Sequence, residues 1–104
     1  MAVKPLTDQE IAQRLEPLPG WSYADDRLSR SYVFDGHPQA AGLVAEVAGI
    51  QEELNHHADL TLGYNRVTVT VNTHSVGGKV TELDLELARR IEAAAPEHGA
   101  RPDS

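Results

Sequence analysis

Residues 52–84 read EELNHHADLTLGYNRVTVTVNTHSVGGKVTELD. The run from Arg66 to Thr73 alternates strictly, and its reading decides the fold. Side chains of a strand point to opposite faces with period two, so Val67, Val69 and Val71 face a core. Thr68, Thr70, Asn72 and then His74 lie on the polar face. Asp59 to Tyr64 reads as a strand as well, with a tight turn near Asn65. Chain folded back between polar clusters brings His56 and His57 into one cavity with His74. Neutral imidazole both accepts and donates a proton near pH 7, so three histidines together point to proton transfer.

Upstream, Asp35, Gly36 and Pro38 mark a helix start. Ala40, Leu43, Val44, Val47, Ala48 and Leu54 recur at helical spacing to about Asn55. If the helix lasts one turn further, Glu52 and His56 share a face. Before it, Trp21–Tyr23 and Arg27–Phe34 form a hairpin across Asp25 and Asp26. Leu28, Arg30, Tyr32 and Phe34 share one face, and Arg30 interrupts the alternation. Thr7 and Glu10 make a capping box, with Leu6 and Ile11 as its hydrophobic staple. That helix carries Ile11 and Leu15 on one face and ends before Pro17.

Downstream, Gly77 and Gly78 form a loop. Thr81 and Asp84 repeat the capping box, with Val80 and Leu85 as staple. Leu83, Leu87 and Ile91 form the apolar stripe of a last helix that stops at Pro96. The order is αββαββα. It predicts an α+β fold with a four-stranded antiparallel sheet and the helices on one face. Residues 1–5 read as a loose lead, 6–96 as one domain and 97–104 as a flexible tail.

The chain has 104 residues and a formal charge of −7. That length suits one small domain, and association into a homodimer or homotetramer buries more surface. The acidic balance gives no footprint for nucleic acid or an anionic membrane. The sequence has no cysteine, which excludes disulfides and thiolate metal sites. No apolar run resembles a secretory signal or a bilayer span, so a cytoplasmic location is expected.

Each candidate also has a plainer reading. His56 and His57 suit a polar helix terminus, where histidine interacts well with the dipole. As a metal site they are poor, because adjacent helical side chains point apart; Glu52, Asp59 or Asp84 would have to help. With His74 they form an acid/base cluster. Asp84 is explained by capping alone, Glu52 as a solvated carboxylate, and Thr73 as a strand residue. The two glycines either turn the chain or admit a ligand close to the backbone. His37 and His98 receive no role.

Glu52-x-x-x-His56-His57, Tyr64-Asn65 before a strand, Thr73-His74, the Gly-Gly loop and Thr81-Glu82-x-Asp84 together carry a resemblance. With Leu87-Ala88-Arg89-Arg90-Ile91, this pattern resembles the pterin-4a-carbinolamine dehydratase family. It covers about residues 50–92, and Gly20-Trp21 extends it before the first hairpin. The resemblance implies dehydration of 4a-hydroxytetrahydropterin (4a-hydroxytetrahydrobiopterin) to quinonoid dihydropterin. That reaction recycles the tetrahydrobiopterin of aromatic amino-acid hydroxylases. It implies no cofactor, no metal, and dimers or tetramers.

Carried over by motif, the active-site histidines are His56, His57 and His74, with Asp84 as an acidic partner that orients or charges one of them. Glu52, Asn55, Thr73 and Ser75 are the implied substrate contacts. The chain departs from the family pattern at Ala58 (usually proline), Leu60 (often tryptophan), Asn55 (aspartate in some members) and Val76 (cysteine in some). These changes spare the proton-transfer groups, and Leu60 is expected to alter the pocket wall. The rival expectation is a non-catalytic pterin-binding or protein-assembly module. Relatives serve as Rubisco assembly chaperones or as dimerisation partners of a homeodomain transcription factor. Retention of all three histidines argues against loss of activity of the Rubisco-chaperone kind, while neither the acidic charge nor the histidines decide between turnover and a binding or assembly role.

Overall fold

Val67, Val69 and Val71 are buried, and the threonines between them are half-buried, as alternation on a one-sided sheet requires. They belong to a computed structural model that describes residues 4–102. Its elements are α1 (Asp8–Arg14), β1 (Ser22–Ala24), β2 (Arg27–Val33), α2 (His37–Leu54), β3 (Asp59–Leu62), β4 (Arg66–Val71), α3 (Glu82–Ala94) and a two-residue β5 (Arg101–Pro102). The four main strands are antiparallel in the order β1-β2-β4-β3.

Strands β2 and β4 form the centre, with Leu28 opposite Val71, Arg30 opposite Val69 and Tyr32 opposite Val67. These side chains face the helices. The core there is completed by Leu43, Val47 and Ile50 of α2 and by Leu85, Leu87, Ala88 and Ile91 of α3. The other face carries small polar pairs such as Ser31 and Thr68, whose hydroxyls are 3.0 Å apart. The β1–β2 hairpin turns on Asp25 and Asp26, both left-handed at φ 53° and 61°. That is the two-residue turn whose twist suits paired strands.

Helix starts follow their caps. Thr7 and Glu10 close one capping box and Thr81 and Asp84 the other. α2 begins at Gly36 with proline in its first turn and no side-chain cap. Helix α2 buries Ile50 and Gln51 in its last turns, while Ala48 is exposed. Leu83 also departs from the expected stripe: it is half-exposed, and Leu85 takes the core position.

Arg30 shows why its strand reads imperfectly. The guanidinium lies 4.7 Å from the centre of the Tyr32 ring and over the Cα of Gly20. A Cβ on Gly20 would meet Arg30 Nη1 at 1.0 Å, so glycine there leaves room for the cation. Glu92 Oε1 accepts from Trp21 Nε1 at 3.0 Å and from the Tyr32 hydroxyl at 2.6 Å. It lies 3.8 Å from Arg30 Nε. Burial, with Glu92 adding to it, pushes the Tyr32 hydroxyl well above its ordinary pKa.

The stretch 97–104 was expected to be a flexible tail, and through residue 102 it has defined partners. Ala95–His98 forms a 3-10 turn, His98 Nε2 lies 2.6 Å from Glu46 Oε1, and β5 pairs with Tyr32 and Val33. β5 sits on the edge of β2 that the shorter β1 leaves open. Sequence periodicity carries no signal for a two-residue strand. Residues 1–3 of the expected loose lead and residues 103–104 lie outside the described part. Among the described residues, no helix is long and apolar enough to cross a membrane.

Candidate active site

Helix α2 ends with Asn55 in the left-handed conformation, at φ 51°. The His56 N–H then bonds the carbonyl of Gln51 at 3.0 Å, and the Asn55 N–H bonds that of Glu52 at 3.3 Å. This is the paired terminal bonding of a Schellman motif, which Asn tolerates because αL costs it little. It turns the chain sharply, so His56 and His57 leave the helix axis before β3 begins. The helix ends where its apolar spacing stops, at about Asn55, and the further turn that would put Glu52 and His56 on one face does not form.

On the far side, β4 ends at Val71, and Thr73 bridges to Lys79 around a 3-10 turn over His74–Val76. Gly77 and Gly78 close this turn at φ 75° and 77°, which side-chain-bearing residues rarely adopt. Alternation carries through the turn's start: Thr73 is buried and His74 is exposed. A cleft of about 290 Å³ opens between the two loops. Asn55, His56, His57, Asn72, Thr73, His74, Ser75 and Leu83 line it.

The three histidines hold three different environments. His56 is buried, and its Nε2 lies 2.6 Å from Asp84 Oδ1. Asp84 is fully buried, and its Oδ2 accepts the Thr73 hydroxyl and the Thr81 N–H, each at 2.8 Å. The Thr81 hydroxyl is 2.8 Å from that of Thr73. Thr81 Oγ1 accepts the Leu83 N–H at 3.2 Å. An ionised carboxylate only accepts. His56 therefore carries its proton on Nε2, toward Asp84, and Nδ1 is the ring nitrogen left for the cleft.

His57 is half-exposed, and its Nε2 lies 2.7 Å from Glu52 Oε2. Glu52 thus serves His57 and not His56, because the turn at Asn55 swings His56 inward toward α3. His74 stands exposed on its 3-10 turn; its carbonyl accepts the Gly77 N–H at 3.1 Å, and its imidazole has no hydrogen-bond or ion-pair partner among the described residues.

Of the expected site residues, His56, His57, His74, Asn55, Thr73 and Ser75 line the cleft. Asp84 supports it from behind through His56 and Thr73, and Glu52 through His57. Leu60, expected in the pocket wall, lies elsewhere. It is paired with Val69 and packs half-buried on the core side of the sheet. Asn72 and Leu83 are lining residues that pattern reading did not single out. Asn72 was legible as the last polar residue of the β4 alternation, whereas Leu83 carried only a helix-stripe signal. Among the described residues, no group of three or more histidines and carboxylates is arranged to hold a metal ion.

His37 and His98 lie apart from the cleft. His37 donates from Nδ1 to the carbonyl of Tyr64 at 2.7 Å and stacks on that ring. A second hollow, of about 220 Å³, lies between Arg30, Glu92 and Arg101 and contains no histidine. Arg30 and Glu92 there neutralise each other, which leaves the cleft as the place where proton-transfer groups converge.

The chain is similar to known proteins over most of its length. Residues 4–94 match the family model described as pterin 4 alpha carbinolamine dehydratase. A Streptomyces avermitilis protein, provisionally named a pterin-4-alpha-carbinolamine dehydratase, is 60% identical over 100 residues, covering 96% of this chain and 99% of that protein. A Thermomicrobium roseum protein with the same provisional name is 44% identical, covering 83% and 91%. The crystal structure of a Brucella melitensis protein described as a transcriptional coactivator/pterin dehydratase superposes with a TM-score of 0.84. It is 39% identical and covers 88% of this chain and 99% of its own. A pterin dehydratase-like protein described as a RuBisCO assembly factor of the alpha-carboxysome shares the fold at TM-score 0.59 and 21% identity, covering 72% and 86%.

Proposed function

The chain belongs to the pterin 4 alpha carbinolamine dehydratase family, and from that premise we propose that it dehydrates 4a-hydroxytetrahydropterin to quinonoid dihydropterin in tetrahydrobiopterin recycling. One observation carries the reading: His56, His57 and His74 line a single cleft in three different electrostatic settings. Elimination from a carbinolamine needs a proton delivered to the leaving hydroxyl and a proton taken from the ring nitrogen. The N5 lone pair forms the C4a=N5 bond as the C4a–O bond breaks and water leaves. N5 then gives up its proton.

His56 and His74 act as acids from different sides of the cleft; with its Nε2–H held by Asp84, His56 does so as the imidazolium, delivering the proton from Nδ1. His57, held by Glu52, binds the substrate and receives the N5 proton. Asp84 is an orienting group: it fixes the His56 ring and tautomer, much as a buried carboxylate does for the histidine of a hydrolytic triad. Polar groups of Asn55, Thr73 and Ser75 serve the pyrimidine edge of the pterin. The proposed assembly is a homodimer or homotetramer. Among the described residues, strand β3 ends the sheet with one backbone edge unpaired, and Leu62 and Tyr64 are exposed there. An open edge of this kind is a template for pairing.

The test is turnover of chemically generated 4a-hydroxytetrahydropterin against the spontaneous rate. Acceleration proportional to protein concentration is expected. A rate equal to background, with the pterin still bound, favours the non-catalytic binding or assembly reading.

A further inference from the structure

Gln51 is a buried amide in the last turn of a helix, at 6% exposure, and none of the proposed chemistry uses it. Both of its carbonyl oxygens point toward the loop that carries the histidine pair. The backbone oxygen accepts the His56 N–H at 3.0 Å. The side-chain Oε1 accepts the Ala58 N–H at 2.7 Å. The segment from His56 to Ala58 is thus suspended at both ends from one residue. A buried N–H without an acceptor is unfavourable, so the loop has reason to keep this attachment. Without the second bond, the helix-terminal turn, the exposed Glu52 contact and the start of β3 are what would remain to restrain His57.

We infer that Gln51 is a positioning residue for the histidine pair, setting the loop so that His56 meets Asp84 while His57 meets Glu52. The inference rests on the dehydratase reading for its kinetic consequence, though not for its structural one. A general acid or base works through geometry, and a displacement of about 1 Å costs up to about a hundredfold in rate. Gln51 does not line the cleft, and its effect passes through the backbone at Ala58.

The informative variant is Gln51→Met, which keeps length and apolar contact and removes the acceptor. It should lower kcat about ten- to hundredfold and expose the Ala58 amide to hydrogen exchange. It should also shift the ring resonances of His56 and His57, with His74 unmoved. Proline has no N–H to satisfy. Gln51→Met/Ala58→Pro should therefore recover most of the lost rate and restore the ring resonances, which a general loss of stability would not predict.

Gln51→Met with parental kcat, a protected Ala58 amide and unshifted histidine rings overturns the inference. So does a folded double variant in which neither rate nor ring shifts recover. Should the parent protein show no dehydration at all, the functional reading fails on its own. Amide exchange and the histidine resonances of the same variants then still decide whether Gln51 positions the loop.

Discussion

His56 Nε2 lies 2.6 Å from Asp84 Oδ1, and the two residues are 28 positions apart in the chain. The contact ties the loop after α2 to the first turn of α3. It places one carboxylate in two tasks: Asp84 caps its own helix through the Thr81 N–H and orients an imidazole. Separating these tasks by mutation is the most direct way into the site.

Asp84→Asn keeps the shape but replaces one acceptor oxygen with a donor, so the Thr81 N–H and the His56 Nε2–H cannot both be satisfied. Turnover should fall about a hundredfold or more, the contribution of a well-positioned acid or base. Asp84→Ala strands three donors and should also cost roughly 3 kcal/mol or more in stability, at about 1–3 kcal/mol for each buried group left unpaired. Thermal melts and turnover on the same preparations check both. An Asp84→Asn protein at the parental rate would remove the orienting role.

His56→Ala and His74→Ala should separate stability from chemistry. The His74 imidazole is exposed and has no partner among the described residues, so its loss should change stability by no more than about 0.5 kcal/mol. His56→Ala leaves Asp84 short of a donor inside the protein and should cost about 1–3 kcal/mol. Both should slow dehydration about a hundredfold to ten-thousandfold per folded molecule. Melting temperatures that fall while the rate per folded molecule holds would make the cluster structural.

Leu60→Trp tests the placement of β3. Leu60 packs on the core side beside Val69 and not in the cleft. The substitution should leave KM for the pterin unchanged and shift stability instead, by about 1–3 kcal/mol if the larger ring overpacks the site. A severalfold fall in KM would put residue 60 against the substrate.

Glu10 gives a pH dependence with a definite sign. Its carboxyl is held below the ordinary value of 4.5, chiefly by the Thr7 backbone N–H and then by the Thr7 side chain. A depressed carboxylate contributes stability that is present above its unfolded pKa and lost as pH falls through the folded one. Glu10→Gln should therefore destabilise the protein near neutrality and narrow its gap to the parent as pH drops below about 4.5. Melting temperatures from pH 7 to 3 check this, and a gap that widens on acidification contradicts the capping account.

An open β3 edge predicts self-association. Sedimentation at micromolar concentration should show a dimer or tetramer. A charged residue at the exposed Leu62, as in Leu62→Lys, should weaken the assembly if that edge is the contact. A parent protein that sediments as a monomer ends the proposal.

Several features were legible in the chain because they rest on local rules. The β4 alternation, the two capping boxes and the Asp-Asp hairpin turn depend on neighbours a few residues away. The antiparallel α+β order followed from them. The three histidines were also legible, since a polar face ending at His74 and a polar helix terminus at His56 both flank one hairpin. Other features depended on contacts between distant segments. Whether Glu52 would serve His56 or His57 turned on the left-handed Asn55, which ends the helix one residue before the shared face could form. Asp84 reads as a cap in sequence, and only docking of α3 against the α2 loop puts His56 on its free oxygen. Arg30 looked like a fault in a strand until Gly20, Tyr32 and Glu92 closed around it. Local sequence determines which backbone each segment prefers; the pairing of buried polar groups is decided when helices and sheet pack, because only then does each donor lose water and need one particular acceptor.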